Sequence, residues 1–68
     1  MTNHAIRAGI ERLLETAAVC IEDARKANRD DLPCLTILDL RNVPRLVEEA
    51  VKLADELAER NVEAARAE

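Results

Sequence analysis

The chain has no phenylalanine, tyrosine or tryptophan, no serine, and a single glycine among its 68 residues. The missing aromatics remove the stacking platforms on which single-stranded nucleic acids are usually bound. One glycine cannot build a loop that cradles phosphate. Without serine the commonest hydroxyl nucleophile is gone, and the single histidine, His4, does not pair plausibly with Cys20 or Cys34 as a base. Two separated cysteines and one histidine fit neither a disulfide framework nor a zinc site. No apolar run approaches the ~20 residues of a membrane-spanning helix, and no hydrophobic signal core follows His4 and Arg7. The expectation is a cytoplasmic protein with reduced cysteines, no enzyme activity, no cofactor and no metal.

What is present is helix-forming. Alanine, leucine, glutamate and arginine dominate, and apolar residues make up 49% of the chain. The formal net charge of −4 disfavours non-specific attraction to DNA or anionic membrane. A chain this short forms one domain, and a single core of that size rarely supplies more than ~3–5 kcal/mol. With disulfide and metal excluded, oligomerisation is the remaining source of stability.

The chain divides into two helical arms and a middle. In the first arm, about 3–28, Thr2 or Asn3 can cap the start. Ile6, Ile10, Leu13, Ala17, Cys20, Ala24 and Ala27 then recur at alternating spacings of four and three. That is a heptad seam, widened on one side by Leu14 and Ile21. Gly9 sits at its edge, where a missing side chain lets a neighbouring helix approach. Arg25, Lys26 and Arg29 crowd the last turns, where cations offset the helix dipole.

The middle, about 29–42, holds Pro33 and the run Cys34 to Leu40. Thr36 and Ile37 favour a strand, whereas the leucines and Pro33 favour a helical turn. The balance tips to a short extended segment, with a turn packed over the bundle end as the alternative. In the second arm, about 43–67, Asn42 reads as N-cap and Pro44 as a first-turn proline. Its apolar side resolves into two seams, Leu46-Ala50-Leu53-Leu57 and Val47-Val51-Ala54-Ala58. One hairpin partner covers one seam, and the second needs another surface.

The expected fold is therefore all-α: an antiparallel two-helix hairpin with a short apolar connector, dimerising into a helical bundle. Core and dimer positions are Ile6, Ile10, Leu13, Leu46, Val47, Ala50, Leu53 and Leu57. Folding the arms together gathers Arg25, Arg29, Arg41 and Arg45 toward the loop, and these are the candidate partner-binding residues. Acidic residues gather toward the open end. Three functions fit: a protein–protein inhibitor or adaptor, an RNA-binding hairpin, and a structural or assembly module. The RNA reading follows from architectural similarity to the plasmid repressor of primer, another small helical hairpin. The first arm here lacks that protein's continuous lysine-rich face.

The opening run Thr2-Asn3-His4-Ala5-Ile6-Arg7-Ala8-Gly9-Ile10-Glu11-Arg12-Leu13-Leu14, the Ala/Arg/Glu-rich composition and the length resemble the small anti-quorum-sensing proteins of temperate Pseudomonas phages. The resemblance implies a phage protein of the host bacterial cytoplasm. It would bind a LasR-type quorum-sensing regulator and block that regulator's DNA binding. It further implies inhibition of the type IV pilus assembly ATPase. Neither implication transfers to individual residues.

Overall fold

A computed structural model describes residues 2–67 as two antiparallel helices, α1 (Asn3–Arg29) and α2 (Pro33–Ala67). The rod they form measures 57 × 15 × 15 Å. Thr2 caps α1: its Oγ1 accepts the Ala5 N–H at 3.1 Å, and its carbonyl accepts the Ile6 N–H at 3.1 Å.

Three residues, Asp30, Asp31 and Leu32, reverse the chain. The Leu32 N–H donates to the Ala27 carbonyl at 2.9 Å and the Asp31 N–H to the Asn28 carbonyl at 3.2 Å. These are the paired bonds of a Schellman motif, which satisfy carbonyls that a helix end leaves unpartnered. The motif needs a left-handed residue, and Asp31 supplies it at φ 59°. Aspartate tolerates that region better than most residues other than glycine.

The connector is therefore shorter than the sequence pattern predicts, and Cys34–Leu40 is helix instead of an extended segment. The physical reason lies at both ends of the run. Pro33 occupies the first helical position, where an N–H would be unpaired in any case. The Leu32 carbonyl accepts both the Thr36 N–H and the Thr36 hydroxyl at 3.0 Å, so the first turn closes locally. Asn42 is not an N-cap, and Pro44 lies inside α2. Its missing N–H leaves the Leu40 carbonyl without the amide it would accept in an unbroken helix.

Helix register is fixed by two contacts. A Cβ at Gly9 would stand 3.2 Å from Leu53 Cδ1, and Arg60 Nη1 donates to Asn3 Oδ1 at 3.4 Å. Each step along α1 is thus matched by a step back along α2, which sets Ala18 level with Pro44. The facing seams run Ile6, Ile10, Leu13, Ala17, Cys20, Ala24, Ala27 on α1. On α2 they run Thr36, Asp39, Val43, Leu46, Ala50, Leu53, Leu57, Arg60. Every one of these residues is buried or half-buried. The heptad of α2 thus continues back through the segment that the sequence pattern assigns to the connector. Ile6 is the one large side chain fully enclosed among the described residues, at 0% exposure. Complete burial of such a side chain contributes about 1.5–3 kcal/mol.

Candidate interaction surface

The residues that follow the seam form a second row on each helix. On α1 these are Leu14, Ala18 and Ile21, and on α2 Ile37, Leu40, Pro44, Val47, Val51, Ala54 and Ala58. In an antiparallel pair, positions just after the second seam residue of each heptad lie on the same side of the hairpin. The structure places them so: Ile21, Ala24, Arg25 and Asn28 line one shallow groove together with Thr36 and Leu40. One broad side of the rod is consequently apolar. Its large members, Leu14, Ile21, Ile37, Leu40, Val47 and Val51, are 43–51% exposed. The other broad side carries Thr16, Asp23, Asn42, Glu49, Glu56 and Glu63, with Val19, Leu35 and Leu38 exposed beside them toward the loop.

Contiguous exposed apolar surface of this kind is uncommon on a protein that functions alone. Val47, expected in the core or dimer set, belongs to this row and not to the intrachain seam. Ile6, Ile10, Leu13, Leu46, Ala50, Leu53 and Leu57 are in the seam. Leu40 and Ile37 belong to the same exposed row, although the sequence pattern assigns them to the connector. Their signal was the heptad step from Leu40 to Val47 to Ala54, visible only if helix is assumed there.

The four candidate arginines do not converge. Arg25 and Arg29 both approach Glu22, at 3.6 and 3.8 Å, with all three side chains more than half exposed. Arg41 and Arg45 stand about 12 and 18 Å along α2 from Pro33, at ~1.5 Å per residue, and point away from the seam. Arg25 borders the apolar face, whereas Arg29 and Arg41 lie on the outer edges of their helices. Exposed ion pairs of this length contribute little. Glu56 and Arg60 form a closer pair at 3.1 Å beside the seam.

Among the described residues, no three His, Cys, Asp or Glu side chains come together as a metal site. Cys20 is half-buried in the seam and Cys34 exposed, both as free thiols. Among the described residues no helix is long and apolar enough to cross a membrane. A furrow bounded by Asp55, Ala58, Glu59, Val62, Glu63 and Arg66 is formed by α2 alone and is a surface groove. No family model, no curated protein and no solved structure matches the chain.

Proposed function

We propose that the chain is a protein-binding module that works as a homodimer and acts by occupying a surface of a larger protein. The observation that carries the homodimer in this reading is the apolar face. The hairpin already satisfies its inner seam, yet Leu14, Ile21, Leu40, Val47 and Val51 remain exposed in one continuous strip. A rod 57 Å long presents extended helical faces, and such faces recognise proteins through surface complementarity instead of a pocket. The net charge of −4 suits a protein that masks a DNA-binding surface, because it complements the basic residues there.

The resemblance of the opening run supplies the partner class: a LasR-type transcription regulator of the host, with the pilus assembly ATPase as a second target. Arg29 and Arg41, outside both the seam and the apolar strip, are the charged contacts to test. Arginine is favoured at binding hot spots because its planar fork bonds and stacks at once.

The test is displacement of a purified LasR-type regulator from its operator DNA. Release is expected on adding the unmodified chain. The Arg29→Glu, Arg41→Glu variant should need about tenfold more protein, which is ~1.4 kcal/mol, while its helix content stays unchanged. No release, combined with binding to structured RNA that falls steeply with salt, would replace this reading with the RNA-binding one.

A further inference from the structure

The apolar face is self-complementary about a single level of the rod, and we infer that a second copy covers it with the two loops at opposite ends. This rests on the homodimer in the reading above and specifies its geometry. In this arrangement the two-fold axis crosses the rods at the level of Ala18 and Pro44. Each α1 then lies antiparallel on its own counterpart, and each α2 does the same.

Taken outward from that level, the strip of α1 reads Ala18, then Leu14 and Ile21, then Glu11 and Arg25, then Arg7 and Asn28. Rotation brings Leu14 against the partner's Ile21, Ala18 against the partner's Ala18, and Glu11 against the partner's Arg25. On α2 the same operation brings Leu40 against the partner's Val47, Ile37 against the partner's Val51, and Pro44 against itself. Each large apolar residue meets an apolar one, Glu11 and Arg25 meet each other across the axis, and Arg7 falls against the partner's Asn28. The small residues Ala18 and Pro44 at the centre leave room for close approach.

The alternative, loops at the same end, lays α1 on the partner's α2. The register then sets Glu11 level with Val51 and Arg25 level with Ile37. Both charges would be covered by aliphatic side chains, an arrangement that costs free energy without a compensating pair. Charge position therefore selects the opposed arrangement. Within one chain Glu11 and Arg25 are two heptads apart, about 21 Å at 1.5 Å per residue, so they cannot pair with each other. The existing partner of Arg25 is Glu22, at 3.6 Å on an exposed surface, a contact weak enough to exchange.

The size also fits. From Arg7 to Asn28 the strip runs about 32 Å along α1, and the rod is 15 Å across its Cα atoms. The pair would cover on the order of 1,000 Å², where specific interfaces begin.

The experiment uses the full chain in analytical ultracentrifugation, with helix content checked by circular dichroism. The unmodified chain should sediment as a dimer of the 7.6 kDa chain at tens of micromolar. Glu11→Arg alone and Arg25→Glu alone should each weaken dimerisation about tenfold or more, because each places two like-charged contacts in the interface. The combined Glu11→Arg, Arg25→Glu variant should return to within about threefold of the original, the signature of a direct pair. As an independent readout, Ala18→Cys in a Cys20→Ala, Cys34→Ala background should give a covalent dimer on mild oxidation, since residue 18 meets itself on the axis. A folded monomer of the unmodified chain overturns self-association and arrangement together. A dimer in which the combined variant does not recover, or in which Ala18→Cys does not cross-link, overturns the arrangement and leaves the homodimer standing.

Discussion

The open half and the loop half of the hairpin use one heptad geometry and fill it in opposite ways. Toward the open end, the seam is Ile6, Ile10 and Leu13 against Leu46, Ala50, Leu53 and Leu57, and large side chains point inward. Toward the loop, it is Ala17, Cys20, Ala24 and Ala27 against Thr36, Asp39 and Val43. There the large residues are on the outside: Leu32, Leu35, Ile37, Leu38 and Leu40 are all about half exposed. Ala17, Ala24 and Ala27 are nevertheless buried. An alanine seam buries little apolar area, so the loop half owes its closure to tight approach and to the Schellman turn. Burial of the seam and burial of apolar mass are thus separate matters. The open half stabilises the chain from within while exposing only Leu14, Val47, Val51 and Val62 among its described large apolar side chains, whereas the loop half exposes every large apolar side chain of its turn and of the first turns of α2.

The largest test of that contrast is Leu53→Asp. It places a carboxylate in the half that supplies the intrachain stability, level with Gly9. An uncompensated charge in such a seam costs several kcal/mol, as much as the ~3–5 kcal/mol a core of this size provides. The expected result is loss of the helical circular dichroism signal at 25 °C. A folded Leu53→Asp chain would mean that the open half is not the source of stability.

Ala24→Leu probes the other half. If the helices approach closely there, the added methylenes overpack the seam and destabilise by about 1–3 kcal/mol, read as a lower urea midpoint. A neutral or stabilising result would show slack in the loop half and remove the distinction drawn above.

Gly9→Ala has the smallest effect and sharpens the picture of the open half. The new Cβ would stand 3.2 Å from Leu53 Cδ1, the tip of a flexible, half-buried side chain that can rotate aside. Against that small adjustment stands the roughly 1 kcal/mol by which alanine exceeds glycine in a helix interior. The net expectation is stabilisation by a few tenths of a kcal/mol and a melting temperature higher by a few degrees. Destabilisation would show that close helix approach at this point, not permissiveness, requires glycine.

Much of this architecture is legible in the residues. The α1 seam from Ile6 to Ala27 follows directly from spacings of four and three. The double seam of α2 separates into Leu46-Ala50-Leu53-Leu57, which the hairpin covers, and Val47-Val51-Ala54-Ala58, whose valines stay exposed. The connector was not legible. Two prolines eleven residues apart read as boundaries, yet Pro33 begins α2 and Pro44 is carried within it. Thr36 and Asp39 look like loop residues because they are polar, and only the register with α1 identifies them as seam positions. The expected gathering of arginines at the loop depends on the same boundary. Lengthening α2 toward its N-terminus moves Arg41 and Arg45 up the rod, away from Arg25 and Arg29. Contact-face residues were half visible: Leu14, Ile21, Val47 and Val51 stand out by pattern, whereas Leu40 and Ile37 depend on knowing that the connector is helix.

Pro44 has a mechanical consequence. A helix resists bending because each turn is tied to the next by amide bonds, and α2 lacks one such tie at Leu40. The joint falls about 16 Å from Pro33, level with Ala18, where the opposing helix offers only a methyl group. Bending compliance of the rod is thus concentrated at one height and directed across its apolar face. A surface laid against that face can impose its own curvature by flexing α2 at this joint, with the Schellman turn and the Ile6–Leu57 end left undeformed.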